Sequence, residues 1–154
     1  MRQIEKPLRV ILAIGLPGSG KSTYLAKLGA HPISSDAIRL QLADDETDQT
    51  IHDRVFATAR YLLVQRIALQ RPATWIDATN LTRGDREPFI RLAHDHGCEV
   101  EALFFDVPLE VCKARNSARG RVVPADAMDI MAAKLQPPST EEGFSRIEVV
   151  RYLP

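Results

Sequence analysis

The amino-acid sequence predicts an α/β fold, an open and mostly parallel β-sheet with helices on both faces. Three observations carry that expectation. Residues 8–14, LRVILAI, form an almost unbroken apolar run stopped by Gly15, the pattern of a strand covered on both faces. Segments of this kind alternate with segments of helical period along the chain, and such alternation builds parallel sheets through crossover helices. The longest helical segment, residues 50–70, places Ile51, Val55, Ala59, Leu62, Leu63 and Ile67 on one face, a stripe suited to packing on a sheet.

The remaining elements follow in order. A helix is expected over 21–28, directly after a glycine-rich turn. HPISSD supplies a short second strand around Ile33, then a helix over 36–42 that the acidic ADDET loop ends. The long helix stops at Arg71-Pro72, because the residue before proline is pushed out of the helical region. TWIDAT (74–79) is the third strand, DREPFIRLAHDH (85–96) a helix closed by Gly97, and CEVEALFF (98–105) the fourth strand. PLEVCKARNSA (108–118) is a helix opened by proline at its first turn. After an arginine-rich stretch come a helix over 124–136, a PPSTEEG loop and a last strand, RIEVVRYL (146–153).

With 154 residues, 45% of them hydrophobic, the chain is expected to form a single domain over 1–154 with one core. Lys and Arg number 20 and so do Asp and Glu, so any contact with nucleic acid must come from a local patch rather than a global field. Cys98 and Cys112 fall in apolar strand and helix patterns, the placement of buried free thiols, and point to a reducing cytoplasmic location. Arg2, Lys6 and Arg9 followed by VILAIGL superficially resemble a signal peptide, but Arg9 leaves the apolar run too short. No segment approaches the roughly 20 apolar residues that span a membrane, and no membrane association is expected.

GLPGSGKS, residues 15–22, fits G-x4-G-K-[ST] at every fixed position and sits between a buried strand and a helix. That context is what the phosphate-binding loop requires. Gly15, Gly18 and Gly20 let the backbone turn its N–H groups inward, with Pro17 and Ser19 completing the loop and Thr23 in the first helical turn, an anion nest at a helix N-terminus. Lys21 reaches the β- and γ-phosphates of ATP and the Ser22 hydroxyl binds Mg²⁺. No N-K-x-D guanine-reading element occurs, and the chain is too short for most motor ATPases, which leaves a small kinase.

SSDAIR (34–39) follows the second strand, so its helix opens on the same sheet edge. Asp36 and Arg39 share a helix face. There a carboxylate accepts the proton of an acceptor hydroxyl and an arginine grips an acceptor anion; the plainer alternative is a dipole-stabilising aspartate beside a surface charge.

GLPGSGKST, SSDAIR, DATNLTRGDR, FFDVPLEVCKARNSARGRVVP and the closing EEGF-RIEVV together resemble, in order and spacing and over nearly the whole chain, the 5′-hydroxyl polynucleotide kinase family of phage and bacterial end-healing enzymes. RNSARG with its following VP is the most distinctive part. The resemblance implies a P-loop kinase fold with an arginine-bearing helical lid at about 115–135. It implies Lys21 and Ser22 on ATP and Mg²⁺, Asp36 as general base, Arg39 on the phosphate next to the acceptor 5′ end, and Arg119 as a lid arginine on the ATP phosphates. No phosphatase or ligase module is expected in these residues.

The local chemistry agrees: Arg115 and Arg119, four apart, converge on the transferring phosphoryl, while Arg121, after Gly120, points to solvent or substrate. Asp77, closing the third strand, is expected to hold a Mg²⁺-bound water and Thr79 to touch the acceptor, with Asp106 as a rival carboxylate; the plainer alternative is that these polar strand-end residues only cap the next helix. Arg39, Arg83, Arg86 and Arg121 are expected around the acceptor mouth, although Arg86 also suits a pair with an acidic neighbour on a helix surface. His94, His96 and Cys98 straddle a helix end and are read as structural; Asp44, Asp45 and Glu46 are read as a solvated loop. The expected function is ATP-dependent transfer of the γ-phosphate to the 5′-OH of DNA or RNA. The alternatives are a small-molecule kinase, for a sugar, nucleoside or antibiotic, and a regulatory module without transfer activity.

Overall fold

The structure, a computed structural model, describes residues 6–119 and 123–152. Its centre is a five-stranded sheet of β1 (Arg9–Ile14), β2 (Ile33–Ser34), β3 (Ala73–Asp77), β4 (Glu99–Asp106) and β5 (Arg146–Arg151). Every pairing is parallel and the order is β2-β3-β1-β4-β5. β1 is therefore central, as its apolar run requires. Alternate side chains go to opposite faces: Val10, Leu12 and Ile14 pack with Val100, Ala102 and Phe104 in the larger core, and Ile11 and Ala13 with Leu103 and Phe105 in the smaller one.

The helices are α1 (Lys21–Lys27), α2 (Ser35–Ala43), α3 (His52–Ala68), α4 (Arg83–Asp95), α5 (Leu109–Ser117) and α6 (Ala125–Lys134). Residues of α2, α3 and α4 fill the larger core and Leu25 of α1 fills the smaller one. Cys112 of α5 and Met128 of α6 meet Leu16 and Leu81 in a third cluster over the strand ends. Asn116 holds these two helices in place from both sides of the intervening segment, donating to the Val123 carbonyl (2.7 Å) and accepting from the Val123 N–H (3.1 Å).

Several boundaries differ from the expected ones, each for a physical reason. The buried stripe of α3 is Val55, Ala59, Leu63 and Ile67, whereas Leu62 is 38% exposed; at about 100° per residue it lies off the ridge spaced by four. α3 ends at Ala68, earlier than Arg71-Pro72, and Gln70 adopts a left-handed φ of 58°. α4 begins two residues early because Thr82 and Asp85 form a capping box that satisfies two otherwise orphaned N–H groups. The PPSTEEG loop contains a 3₁₀ turn, Thr140–Glu142. Cys98 and Cys112 are buried and unbridged. Asp45 accepts from the Thr47 N–H and hydroxyl in an exposed loop.

Arg86 is the largest departure. It is wholly buried rather than at an acceptor mouth or on a helix surface. Its guanidinium pairs with Glu142 through two bonds (2.8 and 3.0 Å) and donates to the carbonyls of Asn80, Leu81 and Gln136. One side chain thus ties the β3–α4 turn to the segment leading into β5. Breaking a buried pair leaves a charge uncompensated. Arg86→Ala is expected to lose about 3–5 kcal/mol of stability, read as a lower denaturant midpoint at unchanged slope; a midpoint equal to that of the parent protein would contradict this role.

Candidate active site

The loop between β1 and α1 lies against α5 so closely that one position tolerates no side chain. Gly18 has φ +80°, and a Cβ there would stand 2.4 Å from the Cys112 carbonyl oxygen. Gly20, φ +97°, starts α1, which leaves the loop's N–H groups concentrated at a helix N-terminus. Lys21 is buried and its Nζ donates to the carbonyls of Gly15 (2.9 Å) and Leu16 (3.0 Å). Burial lowers the Lys21 pKa to about 8, against the opposing pull of Asp77 and Asp36 and with a small push from Arg119.

The next residue reaches across the sheet. Ser22 Oγ donates to Asp77 Oδ2 at 2.8 Å. Asp77 ends β3, in register with Ala13 of β1 and Ser34 of β2, so the strand order brings the loop, Asp77 and the start of α2 to one edge. A hydroxyl and a carboxylate at hydrogen-bond distance are the hard oxygen donors that Mg²⁺ takes, and the pair fits that ion. Thr79 supplies a carbonyl to the Gly15 N–H (3.0 Å). Asn80, at φ +48°, is buried and donates from Nδ2 to the Ala13 carbonyl (2.7 Å). Sequence reasoning passed over Asn80; its signal was that asparagine tolerates the left-handed conformation better than most residues.

On α2, Ser34 caps the helix by accepting from the Ala37 N–H (3.2 Å). The Asp36 side chain is half exposed, and Arg39 is 5% exposed. The surface-charge alternative for Arg39 therefore falls. Its Nη1 meets Asp36 Oδ1 at 3.3 Å, and its buried Nε has no partner among the described residues.

Arg115 and Arg119 line a cleft of about 550 Å³ together with Gly18, Ser19, Gly20 and Thr23. Arg115 Nη1 donates to the Ser19 carbonyl (3.3 Å), and its guanidinium lies 5.4 Å from the centre of the Tyr152 ring. The buried Ser19 hydroxyl has no partner among the described residues. Tyr24 and Tyr152 also line this cleft; no local pattern marks Tyr152, which reaches it only because β5 lies beside β4. Arg121 lies outside the described residues.

Arg83 is half exposed and donates to Ser139 Oγ (2.9 Å), with Glu141 at 3.9 Å. Thr79 and Asn80 open onto a second cleft, between α3 and α4. Asp106 is exposed at the end of β4, in register with Arg151. His94 and His96 hydrogen-bond to the Gly143 and Leu92 carbonyls, and among the described residues no cluster of His, Cys, Asp or Glu forms a metal site. Nor is any described helix long and apolar enough to cross a membrane.

Lys21 generates a pH prediction. With a pKa near 8, the amine is protonated below that value and increasingly neutral above it, while a polyphosphate beside it favours the charged form. Titration calorimetry of ATP in buffers of different ionisation enthalpy should show uptake of close to one proton at about pH 9 and little at about pH 7, with affinity falling as pH rises. Lys21→Met should remove the uptake. Buffer-independent heats near pH 9 would contradict the assignment.

A family model described as AAA domain matches residues 10–138 of the chain. The chain is 31% identical over 148 residues to the transcription factor bHLH140 of Arabidopsis thaliana, an alignment covering 90% of this chain and 15% of that protein. It thus spans about 15% of the length of that curated relative. Its structure is similar to a chain of the Pnkp1/Rnl/Hen1 RNA repair complex, with TM-score 0.72 and 19% identity over 85% of this chain and 45% of that one. It is also similar to a sugar kinase from Janibacter sp., with TM-score 0.68 and 24% identity over 94% of this chain and 86% of that one. At these identities the structural likeness establishes the fold, that of P-loop kinases.

Proposed function

The chain belongs to the AAA domain family that matches it over residues 10–138, and from that premise we propose that it is an ATP-dependent kinase, one domain over 1–154, that phosphorylates the 5′-hydroxyl of a DNA or RNA strand. The observation that carries this reading is Arg39. A guanidinium cannot shed its proton, and this one is 5% exposed with a single protein partner, at 3.3 Å, among the described residues. Its buried Nε has no acceptor among the described residues, and the guanidinium fork suits two non-bridging oxygens of one phosphate. A phosphate there stands beside the carboxylate of Asp36, where the hydroxyl to be phosphorylated must lie.

In this reading Asp36 takes the proton of the acceptor hydroxyl as its oxygen bonds to the γ-phosphorus and the bond to the β–γ bridging oxygen breaks, releasing ADP. Lys21, Arg115 and Arg119 neutralise the charge on the transferring phosphoryl. The loop residues Gly15 to Thr23 hold the donor phosphates, while Thr79 and Arg83 face the acceptor strand. Ser22 and, through water, Asp77 would hold Mg²⁺, which would supply charge neutralisation to the donor phosphates. Segment 115–135 serves as the lid. Similarity to a chain of an RNA repair complex is consistent with a nucleic-acid acceptor.

A second reading, a small-molecule kinase, has its own support. Arg86 is buried against Glu142, and Arg83 is engaged by Ser139 and Glu141, so the acceptor side carries fewer available cations than the sequence implies. The cleft beside Thr79 contains Asn80, two aspartates and aromatic rings, which also suit a neutral sugar, and the Janibacter protein is a sugar kinase.

The two readings part at the acceptor phosphate. In the polynucleotide reading a nucleoside 3′-phosphate is a better acceptor than the plain nucleoside by about 1.5–3 kcal/mol in kcat/KM, the worth of a charged hydrogen bond. Arg39→Ala should erase that preference while Asp36→Asn depresses kcat for every acceptor. Equal use of the two nucleosides by the unmutated protein would move the assignment to the small-molecule kinase.

A further inference from the structure

The acceptor assignment above leaves one built feature unused: the cleft of about 260 Å³ where the end of β3 meets the first turns of α3 and α4. Its wall is a run of rings. His52 and Phe56, one turn apart on α3, have centroids 4.6 Å apart at a 38° tilt, and Phe56 meets the buried Phe89 edge-on at 6.2 Å. Exposed His52 and half-buried Phe56 thus present ring surface to the cleft, braced from behind by a core residue. At its inner end sits Asn80. Its Nδ2 is committed to the Ala13 carbonyl, which fixes the amide orientation and leaves Oδ1 as a buried acceptor with no partner among the described residues. Asp53 and Asp85 add two carboxylates against the one guanidinium of Arg60.

This combination selects a ligand chemistry. Ring faces favour a flat π-system, and base–aromatic stacking is tolerant of base identity. Acceptor-only groups favour a ligand rich in N–H and O–H donors. An excess of carboxylates disfavours phosphate, which belongs instead at Arg39. Resting on the proposed polynucleotide kinase activity, we infer that this cleft seats the nucleobase of the 5′-terminal nucleotide, stacked on His52 and Phe56. With the hydroxyl at Asp36 and the following phosphate at Arg39, the base is the remaining part of that nucleotide, and the cleft lies on the acceptor side of the strand edge. His52 and Phe56 then set how tightly the terminal nucleotide is held and leave the chemistry at Asp36 alone.

The test is steady-state transfer from γ-labelled ATP to two 5′-OH oligonucleotides that differ only in whether the terminal residue carries a base or is abasic. The unmutated protein should show a KM about tenfold higher for the abasic strand, equivalent to about 1.4 kcal/mol, with kcat little changed. His52→Ala and Phe56→Ala should raise KM for the normal strand toward the abasic value and leave the abasic strand unaffected. Phe56 packs against the core and its truncation risks the fold; exposed His52→Ala and the bulk-preserving Phe56→Leu keep the question answerable. Equal KM for both strands, or an equal penalty on both from His52→Ala, would overturn the stacking site while leaving the kinase reading intact. Transfer to a sugar with none to either oligonucleotide would overturn both.

Discussion

The candidate site depends on a contact that forbids a side chain. With a Cβ at residue 18 placed 2.4 Å from the Cys112 carbonyl oxygen, only glycine lets the β1–α1 loop lie flat on α5. The other distances follow from that approach. Because the loop is pressed onto α5, Arg115 reaches the Ser19 carbonyl. Lys21 folds back over the loop, and Ser22, the next residue, turns toward Asp77 on the neighbouring strand. A bulkier residue would push the β1–α1 loop away from α5 and from Arg115.

Three buried cations, Lys21, Arg86 and Arg39, meet burial in different ways. A lysine can relieve the cost of leaving water by giving up its proton, and Lys21 moves toward that limit with a pKa near 8. An arginine has no such route. Arg86 resolves the problem inside the protein, with Glu142 and three carbonyls. Arg39 has only one long bond, to Asp36, among the described residues. Of these two buried arginines, one is saturated and the other short of partners among the described residues, and it is the second that we propose as a ligand site.

The sequence made part of this legible. Apolar runs located β1, β3 and β4 to within a residue or two, and the glycine spacing located the cradle, because both signals are local. Strand order is not local: nothing between residues 14 and 73 states that β3 pairs beside β1, yet that pairing sets Asp77 opposite Ala13 and within reach of Ser22. The same blindness hid the fate of Arg86, whose partner Glu142 is 56 residues away, and the approach of Tyr152 to Arg115. Arg39 and Arg86 look alike in sequence, each early in a helix. Only packing distinguishes them.

The central claim is that this edge phosphorylates the end of a nucleic-acid strand. It is tested most directly by competition in one tube: γ-labelled ATP, Mg²⁺ and limiting protein with equimolar 5′-OH oligonucleotide, plain nucleosides and neutral sugars. Label is expected on the oligonucleotide, at its 5′ terminus and removable by a phosphatase acting on terminal phosphates. Label on a sugar or nucleoside, with the oligonucleotide unlabelled, would contradict it.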